Sequence, residues 1–242
     1  MKTYLFLCLF VCSNFILIAQ NTFQIPDTTT EKNHLFEKKY WGITFNNSWT
    51  SIGNILGGNQ VESFFFKPSV GGGITYQQYF DKNTSLGLEI SLQFQQRGAG
   101  IYYFDDNNQN NIDSTNRWRY RFHNFELPIN FLWRSKKTIG KGEGVRWSGQ
   151  LGFIPSYTHL ARRVYISSED GKHVLINETN NFQKFNLLGN LSFGVDIASG
   201  TNTIFQVHFQ TQVGINNAYK NDYSQFSGRH LLFGLKISAL FR

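Results

Sequence analysis

Five charged residues stand where side-chain chemistry is conceivable: Glu89, Glu126, Lys184, Asp196 and Lys236. Each lies in a stretch where apolar and polar residues alternate, and each belongs to the polar set. Carboxylates beside a cation can carry general acid–base catalysis when one of them is held protonated. In a confined interior the same groups do something simpler, because buried charges require partners or hydration. Mutual neutralisation is the expectation here: a lumen-facing network of charges that fills and stiffens an interior. No catalytic residue is assigned.

Other chemistries find less support. His159 and His173 flank Ser167-Ser168, but no third group is placed to orient either histidine, as a nucleophilic site needs. The six histidines, at positions 34, 123, 159, 173, 208 and 230, are dispersed without His-x-x-x-His spacing. Gly71-Gly72-Gly73 lacks the lysine and following helix of a phosphate loop. Asp105-Asp106 lacks the twelve-residue calcium-loop pattern. No cofactor, metal ion or enzymatic activity is expected.

What must position the five charges is a set of strands. In "TSLGLEISLQFQQRG", residues 84–98, Leu86, Leu88, Ile90, Leu92 and Phe94 alternate with Gly87, Glu89, Ser91, Gln93 and Gln95. Period two puts these sets on opposite faces of a strand. The same alternation predicts strands over 40–51, 67–80, 84–97, 119–134, 145–159, 183–197, 203–215 and 229–241. Connections after the second, fourth and sixth are short; those after the first, third, fifth and seventh are longer and polar. Short turns at one end and long loops at the other mark an up-and-down arrangement with external loops. The expected fold is all-β: an eight-stranded antiparallel up-and-down transmembrane β-barrel over residues 40–242. Pro128 has no amide hydrogen and should mark a bulge or a local break in the ladder.

Polarity decides which face points out. The polar set is too rich in Gln, Asn and charge for an ordinary packed core, whereas Leu, Ile, Phe and Trp run along the other face. Lipid around the apolar face accounts for both. The contrasting fold is a soluble lipocalin-like barrel, with the apolar face lining a cavity for a small hydrophobic ligand. Aromatic residues near strand ends favour the membrane arrangement: Tyr40, Trp41, Trp49, Tyr79, Phe80, Trp118, Trp133, Trp147, Tyr157 and Phe241 are candidates for interfacial girdles.

The first residues read as targeting. Met1-Lys2 is followed by a nearly unbroken apolar run from Tyr4 to Ile18, so residues 1–19 are expected to be a secretory signal peptide. Residues 20–39 are expected to form a short periplasmic lead. Cys8 and Cys12 both fall within the signal, which leaves the mature chain without thiol chemistry. The net charge of +7 is spread in local pairs such as Lys38-Lys39, Lys136-Lys137 and Arg162-Arg163, with no basic stripe. Nucleic acid is therefore not an expected partner. Outer-membrane lipid and lipopolysaccharide are.

Several segments resemble outer-membrane β-barrel proteins of the Bacteroidota, of the PorT-like type. They are the Ala19-Gln20 region, "LGLEISLQFQQRG" at 86–98, "HNFELPINFLWR" at 123–134 and the closing "RHLLFGLKISALFR" at 229–242. Within the third, Glu126-Leu127-Pro128 is similar to a recurring signature of that family. The resemblance implies a cell outer-membrane location and assembly by the outer-membrane insertion machinery. That machinery commonly reads an aromatic final strand; here Phe241 is penultimate. It also implies a secretion or surface-protein partner, with a part in type IX secretion as one form of that role. The functional expectation is a non-enzymatic barrel with a structural or interaction role through its long external loops.

Overall fold

In the computed structural model, residues 38–53, 63–80, 85–102, 117–139, 144–166, 173–199, 202–220 and 228–242 are described. The expected signal and nearly all of the 20–39 lead lie outside them. The chain divides into two units, Met1–His34 and Leu35–Arg242, and every described residue belongs to the second.

Eleven strands form one antiparallel sheet. They are β1 (Lys39–Gly53), β2 (Ser63–Phe65), β3 (Lys67–Tyr79), β4 (Leu86–Tyr102), β5 (Arg117–Glu126) and β6 (Ile129–Thr138), then β7 (Val145–Ile166), β8 (His173–Asn177), β9 (Phe185–Ser199), β10 (Thr203–Gly214) and β11 (Arg229–Phe241). The sheet is a ring. β1 pairs with β3 on one side and with the last strand, β11, on the other. β3 leads to β4, which pairs with both β5 and β6. Those two pair with β7, and the ring returns through β9 and β10 to β11.

Among the described residues, the eight-stranded up-and-down barrel expected from the sequence is therefore corrected to an eleven-stranded sheet whose longer strands run round a ring, with β2 and β8 each paired on one side only. Three departures account for the difference. The segment expected as one strand over 119–134 is two, because Pro128 cannot donate to the ladder. There the Leu127 amide donates to the Pro155 carbonyl and the Pro128 carbonyl accepts from the Ser91 amide, so the chain stays stitched across the break. Two stretches expected as loop contain strands: β2 pairs with the end of β4, and β8 with the end of β7. Finally, β7 runs to Ile166 instead of stopping at His159, because Arg162, Arg163 and Val164 find partners on both β5 and β8.

The two faces differ sharply. Leu151, Leu191, Phe153, Phe209 and Ile74 all point outward with 57–63% of their surface exposed. Pointing inward and buried are Asn46, Gln77, Glu89, Gln93, Asn130, Gln150, Ser192, Gln206 and Lys236. A protein surrounded by water hides its apolar side chains and does not expose them in a continuous band. On β7 the band runs from Trp147 to Tyr157, ten residue steps. At about 3.3 Å per residue and a tilt of about 40°, that is roughly 25 Å, the height of a bilayer-facing band.

Candidate functional site

Among the described residues, oppositely charged side chains converge in the interior. Strand alternation puts them there, and the antiparallel register stacks them into three levels along the ring.

Nearest the short turns, Asp196 on β9 accepts from Arg134 Nε at 2.6 Å, Ser148 Oγ at 2.6 Å and Gln206 Nε2 at 3.0 Å. The Arg134 guanidinium also lies 4.1 Å from the centroid of the Tyr79 ring, a cation–π contact. In the middle, Lys236 Nζ on β11 donates to Glu89 Oε1 at 2.7 Å and to Gln150 Oε1 at 2.9 Å. Glu89 accepts further from Gln77, Asn130 and Gln150. Towards the long loops, Arg97 Nε donates to Glu126 Oε1 at 2.8 Å and Arg97 Nη2 to Gln212 Oε1 at 2.5 Å. All three ion pairs are almost wholly buried. Opposite charges are matched one for one, and amide and hydroxyl groups take up much of their remaining hydrogen-bonding capacity, as buried ions demand.

An apolar layer caps this polar column at each end. At the turn end Tyr40, Tyr79, Leu132, Ala198, Ile204 and Leu240 pack together. At the loop end Ile52, Ala99, Tyr120, Phe122, Ala161, Phe182, Ala218 and Tyr219 do the same, with Phe122 and Phe182 edge to face at 4.9 Å. The polar interior and the turn-end cap come from one alternation, whose inward positions change from polar to apolar at the strand ends, while Phe182, Ala218 and Tyr219 of the loop-end cap lie outside the strands.

One constellation within the column has the residue types of a hydrolase. His208 Nε2 is 2.7 Å from Ser148 Oγ and 3.4 Å from Asp196 Oδ1, and Nδ1 is 3.3 Å from Ser192 Oγ. Its geometry is that of packing. Ser148 and Asp196 contact the same ring nitrogen, while a triad needs the nucleophile and the carboxylate on opposite nitrogens. Ser192 is on the opposite nitrogen, but Asp196 is already engaged by Arg134, Ser148 and Gln206. None of these residues is more than 4% exposed, so no substrate reaches them. Gly194 makes room for the histidine, since a Cβ there would overlap the Val207 carbonyl and the His208 ring.

Of the five charges read from the sequence, the structure brings Glu89, Glu126, Asp196 and Lys236 into the interior. Lys184 is corrected: it is exposed, one residue before β9 begins, where alternation no longer governs its direction. The two cations that sequence reasoning missed, Arg97 and Arg134, each continue an alternating set by one step, after Gln95 and after Leu132. Among the expected interfacial aromatics, Trp41, Trp49, Trp133, Trp147 and Phe241 are exposed on the outer face. Tyr157 is partly covered, with Phe185 at 5.1 Å. Tyr79 is corrected as well: it shares the inward face of β3 with Gln77 and is buried beneath Arg134. Tyr40 is likewise inward. The side chain of Trp118 lies outside the described residues, as do Ser167-Ser168 and the side chain of His173. Among the described residues no group of three or more metal-ligating side chains occurs.

No known protein family matches the chain, and no characterised protein matches it by sequence. Among solved structures it is similar to Neisserial surface protein A, at 10% identity and a TM-score of 0.42, covering 83% of this chain and 95% of that one. Similar too is Ail, the attachment invasion locus protein of Yersinia pestis, solved with the heparin analogue sucrose octasulfate: 13% identity, TM-score 0.38, 85% and 100% covered. A third is the outer membrane protease OmpT from Escherichia coli, at 8% identity and a TM-score of 0.39, with 89% and 99% covered. At these identities and scores no activity passes from them to this chain. The location follows from the geometry. Among the described residues the long strands are paired on both sides round a ring with a bilayer-high apolar exterior and a polar interior, the arrangement that lipid requires. The protein sits in the outer membrane.

Proposed function

We propose that the protein is a non-conducting, non-enzymatic outer-membrane anchor whose ring holds its long loops at the cell surface for contact with partners. One observation carries the reading: the polar column is capped by an apolar layer at each end, so the interior offers neither a water path nor a reachable reactive group. Charge pairs within it serve rigidity. The soluble lipocalin-like alternative requires the apolar face inside and finds no support in the exposed band.

A finer role, as a PorT-like part of type IX secretion, draws on the resemblance around Glu126-Leu127-Pro128 and the final strand. In the ring these residues have structural work: Glu126 pairs with Arg97, and Pro128 divides β5 from β6. Two measurements test the proposal together. Cell fractionation with gels of boiled and unboiled protein should show outer-membrane recovery and a heat-dependent mobility shift. Purified protein in planar bilayers should then show no unitary conductance. Detergent-independent solubility would overturn the anchor, and steady ion-selective openings would overturn the sealed interior.

A further inference from the structure

We infer that the outer surface of β5 and β7, just beyond the apolar band on the long-loop side, binds the phosphate of a membrane lipid headgroup. The inference rests on the membrane reading above.

Along the outward face of β5 the side chains change from Phe125 to His123, Arg121 and Arg119. On β7 they change from Phe153 and Tyr157 to His159 and Arg162. Arg121 and Arg162 are direct cross-strand partners, and both are exposed. Like charges directly opposite in a sheet repel, since their Cβ atoms stand only about 5 Å apart. The register shifts between His123 and Asn124, which pair with Leu160 and Thr158 and leave His159 as the extra residue of a bulge. Bulges re-aim side chains. This one brings the His159 ring to 6.1 Å from Phe125, while burial first, and then the nearby Arg162 and Arg121 guanidinium groups, hold the His123 imidazole below its ordinary pKa.

No described acid answers this group. The four described carboxylate side chains are Glu89, Glu126 and Asp196, all inside the ring, and Glu178, which is bound to Arg163 at 2.7 Å. Two arginines, with two histidines beside them, thus converge without a protein counter-ion among the described residues. They do so on the lipid-facing side, one step beyond aromatic residues at the band's edge. A phosphate held there would relieve the Arg121–Arg162 repulsion and accept charge-assisted hydrogen bonds from both guanidinium groups. Height selects the source: a headgroup phosphate is confined to the edge of the apolar band, whereas free phosphate has no reason to choose it.

The test uses the full chain in nanodiscs of a phosphate-free galactolipid containing either bis-phosphorylated lipid A or the same lipid after phosphatase treatment, with native mass spectrometry counting retained lipid. Wild-type protein should keep the phosphorylated lipid at least tenfold better than the dephosphorylated one. An Arg121→Gln/Arg162→Gln variant should lose about ten- to a hundredfold in retention, while Lys136→Gln/Lys137→Gln on the opposite rim changes nothing. Inorganic phosphate at millimolar concentration should not compete. Equal retention of the two lipids by wild-type protein overturns the site, as does displacement by free phosphate. Because that comparison uses only wild-type protein, it decides the matter even if the double variant does not fold. Failure to enter nanodiscs with a heat-modifiable shift would instead sink the membrane reading.

Discussion

Asp196→Asn keeps the shape of the side chain and removes its charge. In the folded ring that leaves Arg134 facing an amide at the oxygen now 2.6 Å from its Nε, with both positions fully buried. Breaking a buried ion pair from one side costs about 3–5 kcal/mol, chiefly because the remaining ion stays desolvated. With a urea dependence near 2 kcal/mol per molar, the unfolding midpoint should fall by about 1.5–2.5 M. The Arg134→Met/Asp196→Leu double variant removes both charges and should recover most of the loss, since apolar replacements of buried pairs are often neutral or stabilising. The assay is reversible unfolding in detergent or lipid bilayers, followed by tryptophan fluorescence and by the heat-modifiable gel band. A single variant within about 0.5 kcal/mol of wild type, the range of an ordinary surface change, would show that the pair is hydrated and not enclosed. A double variant no better than the single would show that shape, not charge, sets the cost.

Two further changes probe the faces separately. Leu151→Arg, at the centre of the band opposite Leu191, should cost about 2–4 kcal/mol in bilayers, whereas Phe241→Arg at the turn-side rim should lose only about 0–1 from the charge; equal costs at the two depths would contradict the placement of the band. Gly194→Ala should displace His208 from Ser148 and cost about 1–3 kcal/mol by overpacking, to be read as a lowered urea midpoint and a shifted His208 ring signal; an unchanged ring signal would refute the proposed contact.

Much of this molecule was legible in its sequence because period two is blunt and long-lived. Along 86–94 or 229–241 every second residue declares its side, so the outward Leu, Ile and Phe and the inward Glu89, Asp196 and Lys236 follow directly. Legibility failed where a local rule ended. Lys184 stands one residue outside its strand. Tyr79 looks like an interfacial aromatic by type, yet its parity on β3 sends it inward. Arg97 and Arg134 were hidden by stopping each alternating set one step early. β8, His173–Asn177, and the end of β7 carry aliphatic residues but flank the polar stretch 167–172, so they look like parts of one loop, and their pairing with each other reveals them as strands. No local signal announces that His208 would meet Ser148 and Ser192, because those contacts depend on register.

The Lys236–Glu89 pair joins the final strand to β4 across a separation of 147 residues. A ribosome makes the acid long before the base that neutralises it. Throughout synthesis and export, Glu89 therefore has no Lys236 to meet in a finished ring, and a chain truncated before β11 never supplies one. Nor does such a chain cover the free edge of β1, which waits for the same strand. Completion is thus registered twice by one late-arriving segment, once in the backbone and once in charge. A chain lacking β11 therefore carries both an open seam along β1 and an acid without its partner base.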